Sequence, residues 1–341
     1  MTPTTHPAGP APRPRRAAAR PPRGDARRVG HRAAPLLTAL LALLLAGAAG
    51  AQLATLEHGG LQREYLLHVP EGLSEPAPLV LVLHGRGGSG PQMAQLTGFA
   101  EVADRFGFIV AFPSGVDGQW NYVAGVPGYD LPADDVAFLE ALVAAIAAEH
   151  PVDAARVYAT GFSNGGFMAQ LLACQATDVF AAFASVGAAG YGGQPGVCRE
   201  RHPTSIMFVH GTHDAAVPWN GVVQQTPQGP VTVLASVEQT VAFWVDRLGC
   251  TVEVDSQALP VLGGSPGTEA RVLELQGCPP GVELVLVAVL GGGHNWPGHP
   301  GALPPQVAGL VNTDFDASEL IWRFFERHAL PDRGAATARS G

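Results

Sequence analysis

The sequence predicts an α/β protein: a mostly parallel central sheet with helices on both faces. Apolar runs of strand length recur along the chain, helical stretches lie between them, and glycine and proline mark the junctions. A strand buried on both faces loses the polar alternation of an edge strand, and parallel strands require a crossover, usually a helix.

In chain order, Leu61–Val69 alternates apolar with polar and reads as part of an antiparallel edge pair. L-V-L-V-L-H (79–84) is a continuous apolar run, as a buried strand should be; F-I-V-A-F (108–112), V-Y-A-T (157–160), F-A-S-V (183–186), I-M-F-V-H (206–210) and 282–290 read the same way. Helices are expected over Val136–His150 behind an Asp134-Asp135 cap, over Gly165–Cys174 and over Ser236–Leu248. Asp316 and Glu319 have capping-box spacing before L-I-W-R-F-F.

Composition narrows the partners. The chain has 341 residues, 47% of them hydrophobic, which is enough for a sizeable core. All 20 basic residues are arginine, and the net charge is −9. Residues 1–51 carry eight arginines and one acid, Asp25; the remainder carries twelve arginines and 28 acids. An acidic body repels polyphosphate, so nucleic acid is not an expected partner.

The first 51 residues read as an address. Arg27, Arg28 and Arg32 precede the apolar run 33–46, and Ala49-Gly50-Ala51 is an A-x-A cleavage site. That is a secretory signal peptide with a basic leader; its 14-residue run is shorter than the ~20 residues needed to span a bilayer. The mature chain is expected to start at Gln52, secreted or periplasmic, and free of the membrane once the signal is cleaved. The long Pro/Arg/Ala stretch before the signal suggests a translation start at Val29. Arg27-Arg28 resembles a twin-arginine signal, but the residues after it fit poorly. Residues 52–330 read as one catalytic domain and 331–341 as a disordered tail.

Export makes the cysteines readable. Cys174, Cys198, Cys250 and Cys278 allow three pairings. Nearest-neighbour closure pairs Cys174 with Cys198 and Cys250 with Cys278, each worth roughly 3 kcal/mol on a loop-entropy argument. No C-x-x-C is present, so neither a metal nor a thiol redox site is expected.

G-F-S-N-G (161–165) fits G-x-S-x-G. The pattern is weak alone in a chain with 43 glycines, but V-Y-A-T precedes it and G-G-F-M-A-Q-L-L-A follows. A nucleophile elbow needs that strand–turn–helix context. Ser163 needs a base, since a neutral hydroxyl is a poor nucleophile. His294, in G-G-G-H-N-W-P-G (291–298), sits on a flexible run after the last strand. A metal pair of His294 with His299 lacks a third ligand. The base needs a carboxylate, and Asp214 in H-G-T-H-D (210–214) lies at a strand's carboxyl end, where open α/β sheets build their sites. Asp246, Asp314 and Asp316 are rivals. The order Ser163, Asp214, His294 is that of α/β-hydrolases. The expected oxyanion donors are the backbone N–H groups of Asn164 and of Arg86, in H-G-R-G-G-S-G (84–90). The absence of lysine argues against reading that glycine loop as a phosphate loop. Trp120, Tyr122, Trp219 and Trp296 are expected to offer flat apolar area to substrate and Asn121 a polar contact, with the loop 114–132 forming part of the wall.

H-G-R-G-G-S-G, Q-W-N-Y (119–122), D-D-V-A-F (134–138), G-F-S-N-G-G-F-M, H-G-T-H-D-A-A-V-P-W-N-G (210–221), G-G-G-H-N-W-P-G and the D-A-S-E-L-I-W-R-F-F helix together resemble the secreted esterases grouped as the polyhydroxybutyrate depolymerase and feruloyl esterase family. The likeness spans about residues 60–328. It implies an α/β-hydrolase with Ser163, Asp214 and His294 as triad, no cofactor, and a small-molecule or oligomeric ester as partner; it also supports the nearest-neighbour disulfides. Arg86 departs from the smaller residue common after H-G, and its bulk is expected to narrow the acyl pocket. A monomer is expected. The expected substrates are hydroxyalkanoate oligomers and feruloyl or acetyl esters. Acyltransferases and serine peptidases share the triad, and a non-catalytic exported binding protein is the alternative of another class.

Overall fold

The computed structural model describes residues 50–73, 75–123, 133–199, 202–251, 253–259, 264–301 and 304–331. The chain divides into two units, 1–46 and 47–341, and every described residue belongs to the second. The expected leader (up to residue 49), the loop segment 124–132 and the tail from residue 332 lie outside the described residues.

Two antiparallel strands, β1 (Gln52–His58) and β2 (Leu61–His68), open the domain as an edge pair. Then come β3 (Ala77–Leu83), α1 (Gly90–Thr97), α2 (Phe99–Phe106), β4 (Ile109–Pro113), α3 (Asp135–Glu149) and β5 (Val152–Phe162). They are followed by α4 (Asn164–Gln175), β6 (Ala182–Val186), the single turn α5 (Gln194–Val197) and β7 (Ser205–Gly211). A separate hairpin, β8 (Val222–Thr226) and β9 (Gly229–Leu234), leads into α6 (Val237–Leu248). The chain closes with β10 (Val254–Ala258), β11 (Glu269–Leu275), β12 (Leu284–Leu290), the short α7 (Pro305–Ala308) and α8 (Ala317–Phe325).

Ten strands form one sheet in the order β1-β2-β4-β3-β5-β6-β7-β12-β11-β10. The run from β4 to β12 is parallel, and antiparallel strands flank it on both sides. This is the mostly parallel, doubly covered sheet that the sequence predicts.

The apolar run of β3 shows why both faces must be covered. Leu79, Leu81 and Leu83 join one core with Phe138 and Leu142 of α3, Leu171 of α4 and Trp244 of α6. Val80 and Val82 point the other way, into a core with Phe99 and Val102 of α2 and Ile321 and Phe325 of α8. Each such side chain contributes about 1.5–3 kcal/mol when fully buried, so neither face tolerates water.

The caps expected at Asp134 and Asp316 are present, and Ser236 adds one that was not expected. Asp134 accepts from the Ala137 N–H, Ser236 and Gln239 close a reciprocal capping box, and Asp316 accepts from the Ser318 and Glu319 N–H groups. The sequence reading passed over α1 and α2, which are eight residues each and are separated by Gly98 in the left-handed region (φ 59°). It also passed over β8 and β10, whose residues are almost all exposed and show neither an alternating nor a continuous apolar pattern.

Both nearest-neighbour disulfides are formed. Cys174–Cys198 ties the end of α4 to the residue after α5, and Cys250–Cys278 ties the end of α6 to the turn between β11 and β12.

Candidate active site

The site is built at the carboxyl ends of β3, β5, β6, β7 and β12. Ser163 sits between β5 and α4 with φ 54° and ψ −115°, a conformation that costs a non-glycine residue of order 1–3 kcal/mol. The turn is tight enough to require its glycines. A Cβ on Gly161 would lie 2.4 Å from the Gly165 backbone, and one on Gly165 would lie 2.3 Å from the Leu83 carbonyl oxygen. The Ser163 N–H donates to the Val186 carbonyl (2.8 Å), which ties the elbow to β6.

Asp214 follows β7, and its side chain is fully inaccessible. Its Oδ1 accepts from the Ala216 and Val217 N–H groups, both at 2.8 Å. Its Oδ2 is 2.6 Å from His294 Nδ1. An ionised carboxylate only accepts, so Nδ1 carries the proton and Nε2 is left as the basic nitrogen. The His294 ring packs at 4.6 Å, centroid to centroid, from Phe162, the residue before the serine. Gly187 makes room for it: a Cβ there would be 3.2 Å from His294 Cε1. Among the described residues no hydrogen bond joins the Ser163 hydroxyl to His294 Nε2; catalytic hydrogen bonds of this kind are often long and tighten around the transition state.

Of the rival acids, Asp246 lies exposed on α6 and the other two are engaged elsewhere. Asp314 accepts from the Ser265 N–H and Asn312, and Asp316 caps α8 and meets His299 at 3.3 Å. His294 and His299 therefore serve different carboxylates. Among the described residues, no cluster of three or more His, Cys, Asp or Glu could hold a metal ion.

Of the expected oxyanion donors, Asn164 follows Ser163 directly, while Arg86 neighbours Gly85, which packs against that serine. Asn164 is the first residue of α4, where a helix N–H has no intrahelical acceptor and the dipole favours negative charge. Arg86 follows Gly85, which packs against the nucleophile: a Cβ on Gly85 would be 3.5 Å from Ser163 Cβ. The Arg86 side chain is exposed and its Nε donates to Gln119 Oε1 at 3.2 Å.

Three expected substrate contacts are corrected. Trp120 is 1% exposed, and its indole N–H donates to the His84 carbonyl (3.0 Å). Trp296 is 0% exposed, set edge-on to Phe99, with its N–H on Ser318 Oγ (2.9 Å). Asn121 is buried; its N–H donates to Asp135 Oδ2 and its amide to the Ala133 carbonyl. An indole or amide enclosed and bonded in this way presents no surface to a ligand. Trp219 stays partly exposed, edge-on to His210 at 6.0 Å.

Two further histidines belong to the site's frame, and the sequence reading gave neither a role. His210 Nε2 lies 2.8 Å from the Val217 carbonyl, closing the turn that holds Asp214, and burial pushes its pKa down. His84 ends β3 with its ring buried. Their signal was their place beside glycine at a strand's carboxyl end.

A family model described as Esterase PHB depolymerase matches residues 63–197. NocK of Nocardia uniformis subsp. tsuyamanensis, a protein named as an esterase, is 33% identical over 273 residues, covering 76% of this chain and 78% of NocK. Feruloyl esterase B of Piromyces equi is 31% identical over 236 residues, covering 68% of this chain and 42% of that protein. Among solved structures, an acetyl xylan esterase from Aspergillus awamori superposes with a TM-score of 0.53 at 16% identity, over 72% of this chain and 94% of that one, a likeness of fold.

Proposed function

The chain belongs to the esterase PHB depolymerase family, and on that premise we propose that it is a serine esterase working through an acyl-enzyme. The protein is a carboxylic ester hydrolase; the residues that carry the chemistry are our assignment. Ser163 Oγ attacks the ester carbonyl carbon while His294 Nε2 takes its proton. Asp214, held by two backbone N–H groups, keeps the imidazole oriented and stabilises the imidazolium. The carbonyl oxygen becomes an oxyanion and accepts from the Arg86 and Asn164 N–H groups. The tetrahedral species collapses, and the alcohol leaves with the proton from His294. Water, deprotonated by the same nitrogen, then hydrolyses the acyl-serine and frees the acid.

The observation that carries this reading is the buried 2.6 Å Asp214–His294 pair packed against the strained turn that presents Ser163. Soluble and short esters are the proposed substrates: hydroxyalkanoate oligomers and feruloyl or acetyl groups on sugars. Domain 52–330 carries the activity after removal of the leader, and the two disulfides fit an oxidising compartment outside the cytosol. Purified protein should hydrolyse p-nitrophenyl acetate and take a fluorophosphonate label, and Ser163→Ala should lose both. Full activity in Ser163→Ala, or an unlabelled and inactive native protein, would overturn the assignment. Faster turnover of amides, or transfer to an added alcohol in preference to water, would move the protein to the peptidases or acyltransferases.

A further inference from the structure

The Gly85–Arg86 peptide bears one of the two proposed oxyanion donors, and the side chain controlling that peptide is His84. His84 is 1% exposed, and both of its ring nitrogens are engaged. The Gly115 N–H donates to Nε2 at 2.8 Å. Only an unprotonated nitrogen can accept, so Nε2 bears the lone pair and Nδ1 bears the hydrogen. That Nδ1–H lies 2.7 Å from the Gly85 carbonyl oxygen and donates to it.

The Gly85 carbonyl and the Arg86 N–H belong to the same planar peptide unit, which is trans, as is every peptide bond among the described residues. In a trans unit the two point in opposite directions, so anchoring the oxygen aims the hydrogen. The oxygen also accepts from the Gly88 N–H at 3.0 Å. Two donors on one carbonyl polarise the unit and strengthen its N–H as a donor.

The second donor hangs on the same frame. Residues 114–120 hold His84 through Gly115, hold the glycine loop through Gly87 N–H to the Gly118 carbonyl (2.8 Å), and hold Asn164 through Trp120 N–H to its Oδ1 (2.7 Å). Burial first, and the Arg63 charge with it, push the pKa of His84 down against the pull of its bond to the Gly85 carbonyl, and the Gly115 N–H, which needs a lone pair at Nε2, favours the same neutral ring.

We propose that His84 is a positioning residue for catalysis: a neutral imidazole, fixed as the Nδ1–H tautomer, that sets the Gly85–Arg86 peptide plane and thereby aims the Arg86 N–H at the developing oxyanion. The proposal rests on the esterase reading and on Arg86 as donor. It requires that His84 act on the transition state and not on substrate affinity.

Two substitutions separate its two bonds. An asparagine amide reaches the position of Nδ1 and can donate to the Gly85 carbonyl; a glutamine amide reaches that of Nε2 and can accept from Gly115. On p-nitrophenyl acetate, His84→Gln should lower kcat by about tenfold to a hundredfold, less than the roughly hundredfold to thousandfold for outright loss of an oxyanion donor because the N–H is misaimed and not removed, with KM within about twofold. His84→Asn should recover most of that loss. In the wild-type protein, nitrogen-15 NMR should find the His84 ring as the Nδ1–H tautomer, unchanged from about pH 8 to about pH 5, across the range where an ordinary histidine titrates. An unchanged kcat in folded His84→Gln, equal losses in both variants, a loss carried by KM, or an Nε2–H or titrating ring would overturn the proposal. If neither variant folds, the NMR result decides. A wild-type protein with no esterase activity would overturn the underlying reading as well, which distinguishes that failure from this one.

Discussion

Two aspartates are buried to the same degree, and only one meets a group that can pass a proton. Asp214 and Asp135 both have fully inaccessible side chains, each accepts from backbone N–H groups, and each faces a basic side chain at 2.6–2.7 Å. Asp135 meets the Arg63 guanidinium, which is charged at any working pH, and braces the chain at Asn121. Arg63 also stacks over Phe138, 3.8 Å from the ring centroid, so the pair is locked into the core. Asp214 meets an imidazole that can gain and lose a proton at Nε2. Burial and bonding thus do not distinguish the carboxylate proposed for catalysis from the one that braces the core; the kind of partner does.

The sharpest test of that contrast removes each carboxylate's role. Asp214→Asn should lower kcat by about ten-thousandfold, because an amide no longer enforces the tautomer that leaves Nε2 basic. Steady-state ester hydrolysis measures this, and a loss below tenfold would mean that another carboxylate orients His294.

Breaking the other pair should cost stability. Arg63→Met leaves Asp135 buried without its cation and should destabilise the fold by about 3–5 kcal/mol, read from urea unfolding. The pH dependence follows from the sign of the shift. Burial already pushes the Asp135 pKa up, against the pull of the Asn121 N–H and Arg63. A carboxyl with a raised folded pKa binds its proton more tightly in the fold, so its support is full at low pH and lost as pH rises through that pKa. The variant should therefore be relatively more stable near pH 4, about the ordinary aspartate value, than near pH 7.

The smallest effect is expected at an exposed acid. Glu283 is ion-paired with Arg327 and lies 3.7 Å from His328 Nε2. His328 first, then Arg327, hold its pKa down to about 2 against the cost of burial. A depressed carboxyl pKa stabilises above the unfolded value and loses that support as pH falls toward 2. Because the side chain is 39% exposed, solvent screens the pair, and Glu283→Gln should cost less than about 1 kcal/mol at neutral pH and nothing in strong acid. A cost equal to that of Arg63→Met would show that exposure is not what separates the two pairs.

Much of the site was readable as text. G-F-S-N-G between a strand and a helix, H-G-T-H-D after a strand, and the histidine after the last strand were each legible because a tight turn at a strand's end needs small residues. The tryptophans were misread for a physical reason. An indole in a loop beside a catalytic residue has the same one-letter context whether its ring faces solvent or core, and Trp120 and Trp296 face the core with their N–H groups bonded. The Asp134-Asp135 pair was legible only as a cap; that Asp134 caps α3 while Asp135 turns inward to Arg63 depends on β2 passing alongside.

The sequence by itself determined the alternating α/β plan and the placement of Ser163, Asp214 and His294 at strand ends in that order, and it left three cysteine pairings from which the structure takes the nearest-neighbour one. These follow from local periodicity, turn chemistry and chain order. Only the tertiary structure decided which buried acid serves a histidine, which aromatic rings are filler, and which ring nitrogen of His84 carries the hydrogen. Those depend on contacts between residues such as Arg63 and Asp135, or His84 and Gly115, that stand far apart along the chain, and no local pattern encodes where a folded backbone will place its donors and acceptors.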